Sequence, residues 1–142
     1  MHTISMTQDV YDSILTTIGV HAPETGGILA SDPVGIVRAF HFDCPTQRSS
    51  ITYTPSIHTL STVINEIWLP QGLVFSGLVH SHPKPSPPSP RDIRSALEIM
   101  RLNSLSVFLL PIVAGHQIDM YVLYLNPDDC FQLTKEIIHI MR

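Results

Sequence analysis

The sequence predicts a single α/β domain in which a mixed, partly antiparallel central sheet is flanked by helices. Segments with apolar residues at helical spacing alternate with short apolar segments, in the order helix, strands, helix, strand, helix, strands, helix. The strands that follow one another directly imply hairpins, and hairpins require antiparallel pairing within the sheet. A length of 142 residues is typical of one domain with one core, so we expect residues 1–142 to fold as a unit.

Four segments have the apolar spacing of helices. In residues 7–18, Val10, Ile14 and Ile18 recur at i, i+4 and i+8, and Thr7 is suited to the N-cap position. Three further helices are predicted: one from Ser56 to a stop at residues 70–72, one that begins at Ser89, and one over residues 128–140.

The predicted strands are short and mostly apolar. Residues 73–80 are apolar almost throughout, which indicates a buried central strand. Residues 25–30 are too rich in glycine for a helix and indicate a strand whose backbone is closely approached. The remaining strands are residues 36–42, residues 51–54, and a hairpin of residues 105–114 and 118–125 that turns at Gly115 and His116.

Residues 83–90 contain five of the twelve prolines, a density that neither a helix nor a central strand tolerates. The segment is therefore predicted to be a stiff loop. A linker between two domains is the alternative, but it would leave two small halves, each with a poor core.

Composition excludes several classes of protein. Charged residues make up 14% of the chain and the net charge is −4, which argues against binding to nucleic acid. The two cysteines, Cys44 and Cys130, form no CxxC pair and indicate neither a cysteine zinc site nor a disulfide framework. The N-terminus lacks a secretory pattern and residues 105–114 are too short to span a bilayer, so we expect a cytoplasmic protein with no membrane partner.

Two histidines at the end of the buried strand are candidate metal ligands. His80 and His82 are two residues apart, and in a strand such residues point to the same face. Asp92 lies in the first turn of the next predicted helix, which the proline-rich loop can fold back onto them. Two histidines, one aspartate and an open fourth position for water are the arrangement of a catalytic zinc.

Each of these residues also has an ordinary structural interpretation. Histidines near a strand end are often surface residues, and an aspartate in the first helical turn favours the helix dipole. Glu24, at the start of the glycine-rich strand, is either a solvated charge or a general base that takes a proton from the attacking water. Spacing alone does not decide between these interpretations.

Taken together, these residues resemble the signature of the JAMM (JAB/MPN-plus) metalloproteases. That signature is a glutamate near the N-terminus, then H-[ST]-H, a spacer and S-x-x-D. Here the corresponding residues are Glu24, His80-Ser81-His82 and Ser89-Pro90-Arg91-Asp92, and residues 24–29 are similar to the family's E-x-G-G-x-L strand. The spacer before Ser89 is one residue shorter than is usual, and the short single-domain form is similar to the prokaryotic branch.

The resemblance implies a fold, a cofactor and a set of roles. The fold would be the JAMM/MPN, cytidine deaminase-like α/β fold. His80, His82 and Asp92 would ligate Zn²⁺, Glu24 would be the general base, and Ser89 would stabilise the oxyanion or position the water. The substrate would be a conjugate of a ubiquitin-like or sulfur-carrier protein, cut as a peptide or isopeptide bond after the C-terminal tail.

The glycine-rich strand also suggests how such a tail is held. Gly26 and Gly27 are predicted to leave room beside the metal for an extended Gly-Gly tail. Two other functions stay open: a processing peptidase for a ubiquitin-like precursor, and a metal-free MPN-type scaffold that only binds partners. Scaffolds of that type generally lose the histidines or the glutamate, whereas this chain keeps them.

Overall fold

Seven strands pair into one closed barrel in the computed structural model, which describes residues 2–18, 25–43 and 57–142. Their order around the barrel is β1-β3-β2-β4-β5-β6-β7, and β7 pairs with β1. The strands are β1 (Thr3–Thr7), β2 (Gly26–Ser31), β3 (Val37–Asp43), β4 (Val74–Ser81), β5 (Val107–Ala114), β6 (Gln117–Leu125) and β7 (Phe131–Met141).

The described residues also form three helices. They are α1 (Gln8–Thr17), α2 (Ile57–Thr62), which continues as a π-helix (Val63–Trp68) and a 3₁₀ turn (Leu69–Gln71), and α3 (Pro90–Leu102). None of the helices in the described ranges is long and apolar enough to cross a membrane.

The predicted α/β sheet flanked by helices, with its cytidine deaminase-like arrangement, is wrong, because the sheet closes on itself and strands dominate the chain. The closing element is β1, which is not among the predicted strands. It pairs in parallel with β3 at Met6 and with β7 over five residue pairs, from Thr3–Ile137 to Thr7–Met141.

The helix predicted over residues 128–140 is also wrong, since Phe131–Met141 form β7. Thr134 and Glu136 are two residues apart and share one face of the strand, where both meet Tyr124 of β6. Tyr124 and Thr134 each donate a hydrogen bond of 2.6 Å to Glu136 Oε2. Burial of the phenol and its bond to the Glu136 carboxylate raise the pKa of Tyr124 to about 12.

Most of the other predicted elements are confirmed to within two residues. The Thr7 side chain caps α1 by accepting a hydrogen bond from the Val10 amide at 3.4 Å. The hairpin turns at Gly115 and His116, and α2 and its extension end at Gly72 in a left-handed conformation. The strand predicted at residues 51–54 and the cap predicted at Ser56 lie outside the described residues.

Apolar side chains form two clusters, one against each face of the sheet. Alternation along β2 shows the division, since Ile28 belongs to one cluster and Leu29 to the other. The buried faces of α2, its π-helical extension and α3 belong to the first cluster, and α1 belongs to the second. The first cluster lies on the face of β4 that also carries Leu78, two residues before His80.

The closure of the barrel predicts that two methionines of the β1–β7 pair contribute very differently to the free energy of unfolding. Met6 of β1 is fully buried, whereas Met141 of β7 is 36% exposed. Met6→Ala should lower the free energy of unfolding by about 2–5 kcal/mol, because it removes a packed side chain from the core. Met141→Ala should lower it by less than about 1 kcal/mol. Urea unfolding measures both, and equal losses would contradict the core position of β1.

Candidate metal site

The two histidines sit on backbone that is held on both sides. His80 is in β4, where it pairs with Gly26 of β2 and with Ile112 of β5. His82 follows the strand, and its amide donates a hydrogen bond of 2.9 Å to the Val113 carbonyl of β5. The pleat of β4 therefore presents both imidazoles on one face, as their spacing predicts.

Asp92 is brought to the histidines by the start of α3. Ser89 is the N-cap, and Pro90 follows in the first turn. The Ser89 hydroxyl accepts a hydrogen bond from the Asp92 amide at 3.1 Å, and the Ser89 amide donates one of 2.8 Å to Asp92 Oδ2. This reciprocal capping box fixes both the helix start and the direction of the carboxylate.

The three candidate donor atoms converge. His80 Nε2 lies 3.0 Å from His82 Nε2 and 3.2 Å from Asp92 Oδ2, and His82 Nε2 lies 3.4 Å from that oxygen. Ligands about 2.0–2.1 Å from a tetrahedral ion are separated by about 3.3 Å. Octahedral ions with bonds of that length need a slightly smaller separation, about 3.0 Å. His80, His82 and Asp92 are therefore close enough to bind a metal ion together.

The carboxylate of Asp92 is kept in its ligating form. Burial raises the pKa of Asp92, but contacts with His80 and His82, the charge of His80 and the Ser89 amide outweigh it. The pKa of Asp92 is therefore held well below its usual range, and the group is ionised at neutral pH.

A serine in the proline-rich loop contacts His82 on the side of the ring that faces away from the donor cluster. Ser86 Oγ lies 2.7 Å from His82 Nδ1, the ring nitrogen that is not in the cluster. The same hydroxyl lies 3.2 Å from the Lys84 carbonyl, to which it donates. The sequence reasoning did not single out Ser86, and no spacing rule relates a loop serine to a histidine four residues earlier.

A second buried contact joins β4 to the residue that follows Glu24. The Thr25 amide donates to Ser81 Oγ at 3.0 Å, and the Ser81 amide donates to the Thr25 carbonyl at 2.9 Å. Both residues are buried. Ser81 stands between the two histidines, so the start of β2 is tied to the site. Glu24 itself lies outside the described residues, and its role stays a prediction.

Gly27 of β2 has a packing role, and the predicted place of Gly26 and Gly27 beside a substrate tail stays a prediction. β2 is paired along its length with β3 on one side and β4 on the other, so it has no free edge for an added strand. A Cβ atom on Gly27 would lie 2.3 Å from the His41 carbonyl oxygen of β3. The absent side chain at Gly27 thus makes room for β3.

No protein-family model matches the chain, and no curated protein matches it significantly.

Removal of the His82 donor atom should greatly weaken metal binding. His82→Ala takes away one of three ligands and leaves two. Loss of a residue that only supports a ligand typically weakens metal binding by about 10–100-fold. Loss of a ligand itself should therefore reduce metal affinity by at least about 100-fold. His116→Ala is the matched control, because His116 is exposed in the β5–β6 turn. Metal content after incubation with zinc and desalting measures both variants. Equal metal in His82→Ala and the control would contradict the ligand assignment.

Proposed function

We propose that the protein is a zinc-dependent hydrolase that cleaves a peptide or isopeptide bond after the C-terminal tail of a ubiquitin-like or sulfur-carrier protein. The observation that carries the proposal is the convergence of His80, His82 and Asp92 at distances that let them share one metal ion. The similarity of the same residues to the JAMM signature supplies the reaction and the substrate class.

The proposed metal is zinc, because the donor set suits a transition metal and the JAMM signature is that of zinc enzymes. Two imidazole nitrogens with one carboxylate suit zinc, whereas magnesium and calcium prefer oxygen ligands alone. Sites with three protein ligands are typical of catalytic zinc, and structural zinc usually has four. When bound, zinc would polarise the scissile carbonyl and lower the pKa of a water molecule.

The remaining steps fall to the side chains of the chain itself. Glu24 is the proposed general base, which takes a proton from the attacking water and delivers it to the leaving amine. Thr25, the next residue in the chain, is hydrogen-bonded to Ser81, which stands between the two histidines in the sequence. This contact ties the start of β2 to the site and supports the proposed role of Glu24. Ser89 accepts one hydrogen bond from Asp92, and a hydroxyl that accepts still carries a proton that can be donated to an oxyanion.

An amide substrate explains why both the metal and the general base are needed. Amides resist hydrolysis because the carbonyl is weakly electrophilic and the amine is a poor leaving group, so polarisation and protonation must act together. A scaffold without catalysis would need neither the ionised Asp92 nor its two imidazole neighbours at ligand distance. The donor cluster therefore favours an enzyme over the MPN-type scaffold.

The proposed base can be separated from the metal ligands. Glu24→Gln keeps the shape of the side chain and removes the proton acceptor, so the cleavage rate should fall by about 10²–10⁴-fold or more. Zinc content should stay at the wild-type level, because Glu24 is not a proposed ligand. Glu66→Gln, an exposed glutamate on the π-helix, is the control.

Two results would contradict this assignment. Cleavage by Glu24→Gln within a few-fold of the wild type would mean that another group is the base. Loss of zinc from Glu24→Gln would mean that Glu24 is a ligand or supports one.

The proposed substrate class is tested by changing the C-terminal tail of the substrate. A ubiquitin-like protein that ends in Gly-Gly should be released both from a linear C-terminal extension and from a lysine conjugate. Replacement of its Gly-Gly by bulkier residues should abolish turnover, measured as kcat/KM by gel or mass spectrometry. Undiminished cleavage of the altered tail would indicate a general peptidase, and cleavage of the linear extension alone would indicate the precursor-processing peptidase.

A further inference from the structure

We infer that Ser86 is a positioning residue that fixes the tautomer and ring orientation of His82, so that His82 Nε2 presents a lone pair to a metal ion. This inference rests on the proposed metal site. It concerns the contact of 2.7 Å between His82 Nδ1 and Ser86 Oγ on the side of the ring opposite the donor cluster.

The direction of this hydrogen bond follows from a count of protons. The Ser86 hydroxyl has one proton and two acceptors within reach, His82 Nδ1 at 2.7 Å and the Lys84 carbonyl oxygen at 3.2 Å. A carbonyl can only accept, whereas an imidazole nitrogen can donate or accept. Both contacts are hydrogen bonds only if Ser86 donates to Lys84 and His82 Nδ1 donates to Ser86.

The opposite side of the ring faces the donor cluster. His80 Nε2 and His82 Nε2 are 3.0 Å apart, a distance at which one of the two must carry a proton unless a cation lies between them. With its proton on Nδ1, His82 has a lone pair at Nε2. Asp92 Oδ2, 3.4 Å away, is also an acceptor, and a cation bound between the two atoms satisfies both. The tautomer that satisfies Ser86 is thus the one that leaves His82 Nε2 able to bind a metal.

The loop holds Ser86 where this contact requires it. Ser86 is half-buried and lies between Pro85 and Pro87, each of which has a fixed φ. Such a segment has few conformations to lose on folding, so the hydroxyl is positioned at a small entropic cost. Partners of this kind on ligating histidines fix the ring orientation, and their loss typically weakens metal binding by 10–100-fold.

A pair of nearly isosteric variants isolates the hydroxyl. Ser86→Thr keeps it, and Ser86→Val replaces it by a methyl group in a side chain of nearly the same shape. Ser86→Ala is a third variant without the hydroxyl, and Ser95→Ala on the exposed face of α3 is the control. Zinc affinity is measured by competition with a chelating dye, and the ring tautomer of His82 by long-range ¹H–¹⁵N NMR of the metal-free protein.

We expect the wild type and Ser86→Thr to carry the His82 proton on Nδ1 and to bind zinc within about threefold of each other. Ser86→Val and Ser86→Ala should shift the proton toward Nε2 and bind zinc about 10–100-fold more weakly. A wild type protonated on Nε2, or a Ser86→Val variant with the affinity of Ser86→Thr, would overturn the inference.

The same measurements distinguish a failure of the proposed function from a failure of this inference. A wild type that binds zinc with these differences between variants but cleaves nothing would contradict the proposed hydrolase and leave the role of Ser86 intact, since neither readout requires catalysis. A wild type that binds no zinc would contradict both.

Discussion

The candidate site depends on the pairing of β4 with a strand on each side. β4 runs antiparallel to β2 and parallel to β5, and it approaches β5 so closely that a Cβ atom on Gly77 would lie 2.4 Å from the Leu109 carbonyl oxygen. Only glycine allows this approach. Because the pairing continues through His80 and the His82 amide, backbone hydrogen bonds of the barrel itself hold the segment that carries both imidazoles.

The carboxylate of Asp92 belongs both to the capping box at the start of α3 and to the donor cluster. Burial of a charged group is unfavourable unless it is paired and hydrogen-bonded. Asp92 Oδ2 meets that condition through the Ser89 amide and the His80 imidazole. The capping box that starts α3 therefore also aims the oxygen at the histidines. A divalent cation bound at the same point would pair with a carboxylate that is already ionised and oriented.

What the sequence predicted correctly is local in the chain. The same-face pair His80 and His82, and the capped start of α3, depend on residues within three positions of each other. Barrel closure instead pairs residues 3–7 with residues 137–141, and no local pattern encodes contact between the two ends of the chain. The helix predicted over residues 128–140 is wrong for a different reason, since its apolar residues include Ile137 and Ile138, and β-branched residues favour strands.

The two contacts absent from the sequence reasoning share a physical cause. The Thr25–Ser81 and His82–Ser86 hydrogen bonds involve small hydroxyl side chains whose partners are set by how the barrel and the proline-rich loop fold. A serine satisfies its hydroxyl in many ways, so its identity predicts no particular partner. The histidine is different, because its chemistry predicts a metal and its second nitrogen then requires a partner. The proposed ligand role of His82 therefore requires a partner at Nδ1, and Ser86 is the side chain that lies there.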